Sequence, residues 1–358
     1  MSTELTPFDN LAGPQHAGAR LAGAGTRPAG FEALLGRARR VLASVPAEGD
    51  FIANGIWGID LAGQMASRRD ELFVLDVRAR EDYDAGHIEG AVHVEFSELA
   101  LAEGLDMFPK DRKIIVVCQA GGLSAQAVAS LRLLGYDAAM LRTGMNGWAP
   151  GSGRLEALAV IEAAAYPVIQ APPLPCAALE AAGVFDQPAA DEREAVLTRL
   201  REQMQLARTA DARVPAGLAA ADGAGFAPAV DAAGVVSPEQ LHAALMDPDA
   251  SERLFLLDLR REEDFEGVGH LDGAVRMDFD AALMPENLEQ LPHGRTIVTI
   301  CYSGNMAAQL AQILRLLGYD TAVLAYGMVG WKRTPTTYLY LKDLQKGDNP
   351  VVSGRRRP

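Results

Sequence analysis

The chain has 358 residues, enough for two or three domains that each bury a core. Its formal net charge of −14 argues against a nucleic-acid partner, which would require clustered Lys and Arg. Three cysteines, with no C-x-x-C pair, exclude a disulfide framework and a zinc site, and point to a reducing, cytoplasmic setting with no metal.

In chain order, residues 1–48 read as an N-terminal extension. Met1–Thr6 lacks the basic and apolar regions of a secretory signal. Leu11–Gly30 is rich in Gly and Ala and is expected to be irregular. Phe31–Leu42 is predicted helical, with Leu34, Leu35, Ala38 and Val41 on one face. A first domain is expected over 49–153. In the linker, 154–228, the apolar run Leu155–Ile169 is broken by Glu156, Glu162 and Pro167 and falls short of a membrane span. Pro172–Pro175 should be extended, and the adjoining Cys176 reads as an inert thiol. Asp191–Ala207 is amphipathic, with Val196, Leu197, Leu200, Met204 and Ala207 on one side, and is expected to cover a domain face. Asp211–Ala233 is loose in Ala and Gly. A second domain is expected over 229–340, and a tail over 341–358 whose Arg355–Arg357 run reads as a solvated end.

The two domains carry one pattern written twice. Leu72–Arg78, Gly86-His87-Ile88, Cys118, Leu131–Asp137 and Gly147-Trp148 recur as Leu254–Arg260, Gly269-His270-Leu271, Cys301, Leu314–Asp320 and Gly330-Trp331. Histidines, cysteines and tryptophans share one offset; the aspartates fall one residue short of it. An offset of roughly 180 residues is far too long for a solenoid repeat and matches a domain duplication. Leu72–Val77 and Ile114–Cys118 are nearly all apolar, as in strands covered on both faces. Ser124–Leu134 is predicted helical, with Val128, Leu131 and Leu134 on one face. Leu310, Ile313, Leu314 and Leu317 form the matching stripe. Gly135 and Gly318 are placed to end these helices in a left-handed conformation. Ala138–Leu141 and Thr321–Leu324 read as the next strands. Strand, loop, helix, strand implies parallel pairing by right-handed crossover.

The candidate chemistry lies in Cys118-Gln119-Ala120-Gly121-Gly122-Leu123-Ser124 and Cys301-Tyr302-Ser303-Gly304-Asn305-Met306-Ala307. Each cysteine ends a strand before a Gly-containing turn into a helix, where amide N–H groups and the helix dipole favour an anion. A thiolate there is expected to ionise below the ~8.5 of a free cysteine. Such a cradle suits a nucleophile that then carries a second sulfur.

Both copies resemble rhodanese domains, and the whole chain resembles a tandem-rhodanese sulfurtransferase. The matching residues are Asp76-x-Arg78 and Asp258-x-Arg260, the Gly-His pairs followed by Gly90-Ala91 and Gly273-Ala274, the Cys-x-x-Gly loops, and Gly144–Trp148 with Gly327–Trp331. The resemblance implies an α/β fold of two five-stranded parallel sheets flanked by helices. It implies Cys118 and Cys301 as nucleophiles that pass sulfane sulfur as a persulfide from a small-molecule donor to a thiol or protein acceptor, without a cofactor. The loop residues from Gln119 to Ser124 and from Tyr302 to Ala307 would bind substrate.

The chain departs from the family in one respect. Thiosulfate-using members commonly carry Arg or Lys in the loop, often at its sixth position, where Leu123 and Met306 stand here. A dianionic donor loses a charge-assisted partner typically worth ~1.5–3 kcal/mol, so a less charged persulfide or a protein thiol is the expected substrate. A C-x5-R phosphatase is excluded by Ser124 and Ala307. The rival reading is a rhodanese pair that senses oxidants or persulfides, or docks partners, or has one active copy. Asp76 and Asp258 are expected to bind loop amides or Arg78 and Arg260. His87 and His270 are expected to order turns, Trp148 and Trp331 to pack the core, and Ser124 to cap its helix.

Overall fold

The computed structural model describes residues 27–44, 54–100, 105–149, 154–163, 165–168, 187–208, 234–333, 337 and 341. The expectations for Leu11–Thr26, Pro172–Cys176, Asp211–Ala233 and the basic tail lie outside the described residues.

Helix α1 is Phe31–Ala43. The first copy then runs β1 (Gly55–Ile56), α2 (Gly58–Arg68), β2 (Leu72–Asp76), α3 (Arg80–Ala85), β3 (Val92–His93), β4 (Lys113–Val117), α4 (Gly122–Leu133), β5 (Ala138–Leu141) and α5 (Gly144–Trp148). Helices α6 (Arg154–Ala163) and α7 (Ala190–Arg208) follow. The second copy runs β6 (Val235–Val236), α8 (Pro238–Met246), α9 (Pro248–Ser251), β7 (Leu254–Asp258), α10 (Glu262–Gly267), β8 (Val275–Arg276), α11 (Pro285–Leu288), β9 (Thr296–Ile300), α12 (Asn305–Leu316), β10 (Thr321–Leu324) and α13 (Gly327–Trp331).

Each copy forms a five-stranded sheet, ordered β1-β5-β4-β2-β3 and β6-β10-β9-β7-β8, and every pair within them is parallel. The two outermost strands of each sheet have two residues apiece, too short to leave an alternation signal in the sequence.

The near-continuous apolar strands feed two cores at once, because successive side chains point to opposite faces. In the first sheet, Leu75, Val77, Ile114 and Val116 enter one cluster and Leu72, Val74, Ile115 and Val117 another. In the second, Leu257 and Ile297 face inward, while Leu254, Leu256, Val298 and Ile300 face a third cluster. The inward faces of both sheets belong to a single cluster, bridged by α4 and α12. The duplicated copies therefore bury a shared core through the same element of each.

Polar side chains register that contact. Gln312 Nε2 donates to Ser130 Oγ (3.2 Å) and Arg315 Nη1 to Gln126 Oε1 (3.0 Å), joining α12 to α4. Helices α1 and α7 lie against the pair and supply cations to its carbonyl ends. Arg37 donates to the carbonyls of Leu133 and Arg132 (2.9 and 2.8 Å), and Arg199 Nε to that of Leu316 (2.9 Å). Gly135 (φ 92°) and Gly318 (φ 97°) end the helices as anticipated. The face of α7 bearing Val196, Leu197, Leu200 and Met204 is buried in the shared core. No helix among the described residues is long and apolar enough to cross a membrane.

Candidate functional site

Both cysteines sit at the carboxyl ends of their strands, the position where open α/β sheets bind ligands. The chain turns into α4 through Gly121 at φ 95° and into α12 through Gly304 at φ 88°. A Cβ on Gly121 would lie 2.1 Å from the Arg142 carbonyl oxygen, so only glycine admits the turn. The Gly-Met-x-Gly-Trp motif docks the loop from behind. Met145 N–H donates to the Cys118 carbonyl (2.9 Å) and Asn146 N–H to that of Gln119 (3.0 Å). Met328 and Val329 repeat this for Cys301 and Tyr302 (2.9 Å each).

The sulfur of Cys118 receives the Gly121 N–H at 3.1 Å. Ser124 does not cap α4. Its hydroxyl donates to the Gly121 carbonyl (3.0 Å) and accepts from the Cys118 thiol at 3.4 Å, because Gly121 already occupies the N-cap position. Cys301 receives the Ala307 N–H at 3.4 Å. Here the expectation of a low thiol pKa fails. Burial pushes the Cys301 thiol up, and the amides of Ala307, Ser303, Gly304 and Met306 only partly offset it.

The supporting residues of the two copies are arranged alike. Asp76 is fully buried and takes Arg78 Nε (3.0 Å) and Nη2 (2.7 Å) plus the Arg78 N–H (3.1 Å). Asp258 holds Arg260 in the same way, at 3.0, 2.8 and 3.0 Å. Each arginine also reaches the carbonyl before the histidine, Gly86 or Gly269. His87 and His270 stack on Tyr83 and Phe265 and bond the carbonyls of the same residues. They order the turn, while Trp148 and Trp331 are buried in the core.

The loops differ in what surrounds them. Gln119, Ala120, Gly122 and Leu123 are half-buried, and with Cys118 they line a cleft of about 330 Å³. The opposite wall comes from the second copy: Val235, Ser303, Gly304 and the segment 323–326. Asn305 Nδ2 donates across the junction to the Arg142 carbonyl (2.8 Å), so the cysteine loops of the two copies face one another. In the second loop, Tyr302, Ser303, Gly304, Asn305 and Ala307 are buried and only Met306 is half-buried. The Tyr302 hydroxyl donates to Asp264 Oδ2 (2.5 Å) and accepts the Arg261 N–H (3.3 Å). Burial, reinforced by that carboxylate, pushes the Tyr302 phenol far up, so it stays a donor. In the first copy Gln119 turns instead to Asn146 Oδ1 (2.7 Å), and Asp82, which matches Asp264, is an exposed carboxylate lining the cleft.

The sequence thus located both loops but not the cross-copy wall, nor Asp82. Val235 and 323–326 belong to the other copy, and no motif links them to Cys118.

The family model described as "Rhodanese-like domain" matches residues 60–150 and 237–334. The probable adenylyltransferase/sulfurtransferase MoeZ of Mycobacterium tuberculosis is 36% identical over 80 residues, covering 22% of this chain and 20% of that protein. The chain therefore spans about a fifth of that relative's length. The human thiosulfate:glutathione sulfurtransferase is 36% identical over 94 residues, covering 22% of this chain and 78% of that protein. The crystal structure of a thiosulfate sulfurtransferase from Pseudomonas aeruginosa is 19% identical, covering 85% of this chain and 48% of that one, with a TM-score of 0.27.

Proposed function

The chain belongs to the rhodanese-like domain family, and from that premise we propose that it is a sulfurtransferase in which Cys118 turns over while Cys301 is held closed. The observation that carries this reading is the cleft: both cysteines are buried, at 3% and 2% exposed, but Cys118 and its half-buried loop line the cleft, whereas Cys301 does not line it and has its thiol pushed up by burial. Both relatives quoted above bear sulfurtransferase names.

In the proposed reaction the Cys118 thiolate attacks the outer sulfur of a donor R–S–SH. A new S–S bond forms, the donor's S–S bond breaks, and the carrier leaves as RS⁻. The proton stays on the transferred sulfur, so charge and electrons balance. The Gly121 N–H faces the anionic sulfur. Attack by an acceptor thiolate on the outer sulfur of Cys118–S–SH then regenerates the enzyme.

The charges around the cleft favour a donor of low charge. Of the lining residues, Arg78 is neutralised by Asp76, and Asp82 adds a carboxylate. No loop residue is cationic. A dianion such as thiosulfate meets no surplus positive charge there, whereas a small organic persulfide fits. The human relative's name couples thiosulfate with glutathione; glutathione, a small organic thiol, agrees with a small thiol as acceptor, while thiosulfate is a donor for which this cleft has no surplus cation. The three-cysteine composition still favours a reducing compartment.

The test is intact-mass analysis of the full chain after exposure to inorganic polysulfide, organic persulfides and thiosulfate. One added sulfur is expected with the first two, lost in Cys118→Ser and retained in Cys301→Ser. An unmodified wild type, or a gain surviving in Cys118→Ser, overturns the assignment. The sensor reading is separated by turnover, since a sensor reacts once per protein.

A further inference from the structure

We propose that Ser303, carried by the second copy, binds substrate at the Cys118 site by hydrogen-bonding the organic body of the sulfur carrier. The inference rests on Cys118 being the persulfide-forming nucleophile. Ser303 stands two residues after Cys301, yet it lines the cleft that opens onto Cys118. The residue is 4% exposed, and its Oγ is buried with no hydrogen-bond partner among the described residues. Native structures rarely leave a buried hydroxyl without a partner; an ordered water, an ion, a ligand or strain accounts for it. The loop itself does not require the hydroxyl, because the first copy folds the same turn with Ala120 in the matching position. Nor does the hydroxyl serve Cys301, which Ser303 reaches through its backbone N–H.

The wall is fixed in place. Asn305 Nδ2 is bonded to the Arg142 carbonyl, and Asn305 Oδ1 is a second buried polar atom without a partner beside Gly121. The second copy's loop therefore holds two buried, unpaired polar atoms at the junction with the first copy's nucleophile, and rotation about the Ser303 Cα–Cβ bond is the step that brings its hydroxyl into the cleft the residue lines. Around Ser303 the cleft is lined by Leu123, Val235 and Val323, with the Asp82 carboxylate also exposed to it. That combination takes a small persulfide whose body is apolar, carries an amide or carbonyl oxygen for the hydroxyl, and bears no additional negative charge. An inorganic polysulfide has no such oxygen and gains nothing from Ser303.

The experiment compares two donors on the full-length chain: N-acetylcysteamine persulfide, whose organic body is neutral and carries an amide, and inorganic polysulfide. Ser303→Ala places in the second loop the residue that the first loop already tolerates, and Ser303→Gly removes the same hydroxyl as a second variant. KM for the organic donor is expected to rise about tenfold in both variants, the equivalent of one hydrogen bond, with kcat retained and the preference over polysulfide falling by the same factor. An unaltered preference, or a loss shared equally by both donors, overturns the role of Ser303 while leaving Cys118 as nucleophile. A wild type that takes sulfur from neither donor overturns the underlying reading and this one with it.

Discussion

The phenol of Tyr302 donates to Oδ2 of Asp264 at 2.5 Å, tying the residue after Cys301 to the first turn of α10. In the first copy the matching residues are Gln119 and Asp82, and Gln119 donates to Asn146 instead. One side-chain choice thus closes one loop and leaves the other on a cleft. Tyr302→Phe, or Asp264→Asn, is expected to raise the alkylation rate of Cys301 roughly ten- to a hundredfold, the scale of a hydrogen bond to a charged group (~1.5–3 kcal/mol). Peptide mapping after timed alkylation reads each cysteine separately. A Cys301 rate equal to wild type in both variants would show that the contact closes nothing.

The pH dependence of Cys301 follows from its surroundings. Burial raises its pKa, and the loop amides offset this only in part. Alkylation of Cys301 should therefore remain slow through the ordinary thiol range near ~8.5 and accelerate only above it. Stability carries the same sign. Where the unfolded thiol has ionised and the folded one has not, the folded state binds more protons, so stability falls as pH rises. The contribution is complete below the ordinary thiol pKa and is lost upward through the alkaline range. Denaturant titrations from neutral to alkaline pH should show a decline that is shallower in Cys301→Ser. A decline of equal slope in that variant would assign it to other groups.

The Asp-x-Arg pairs support each site from below. Asp76 and Arg78 are both buried, and the guanidinium has spent Nε and Nη2 on the carboxylate and the Gly86 carbonyl. Asp76→Asn leaves a buried cation without its counter-ion, a change that costs ~3–5 kcal/mol. Asp258→Asn is expected to cost as much, because the geometry of Arg260 is the same. Chemical denaturation measures both. A loss below ~1 kcal/mol in either would mean that water or another acceptor replaces the carboxylate.

The parts legible in the sequence are those where one local rule dominates. Leu72–Leu75 and Ile114–Val117 are apolar because both faces are covered, and Gly135 and Gly318 mark helix ends because only glycine takes a positive φ cheaply. Cys118 and Cys301 were visible because they recur at strand ends. The two-residue edge strands were not, since Gly55-Ile56 and Val92-His93 are too short to show a period. The asymmetry of the sites was hidden for another reason. Gln119 and Tyr302 differ by type, but only packing shows that one turns to Asn146 and the other to Asp264. The orphan hydroxyl of Ser303 likewise acquires meaning only once the other copy is opposite it.

Glycine seats the cysteine loop against the last helix of its copy. Gly144 has φ 56°, and a Cβ there would lie 2.3 Å from the Cys118 carbonyl oxygen. That carbonyl accepts the Met145 N–H at 2.9 Å, so glycine is what allows backbone to meet backbone. The obstruction is main chain rather than a flexible side-chain tip, and no rotamer change relieves it. Gly144→Ala must therefore move the cysteine loop or strain its own backbone, at ~1–3 kcal/mol for a residue held in an unfavourable region. Sulfur loading of Cys118 should fall at least tenfold, because a displaced carbonyl carries the thiol out of line with the Gly121 amide. Gly327→Ala makes the same clash, at 2.3 Å, with the Cys301 carbonyl oxygen. It should lower stability similarly while sparing the loading of Cys118. Equal damage to Cys118 loading from both variants would mean that the two loops are seated as one unit across the junction, not copy by copy.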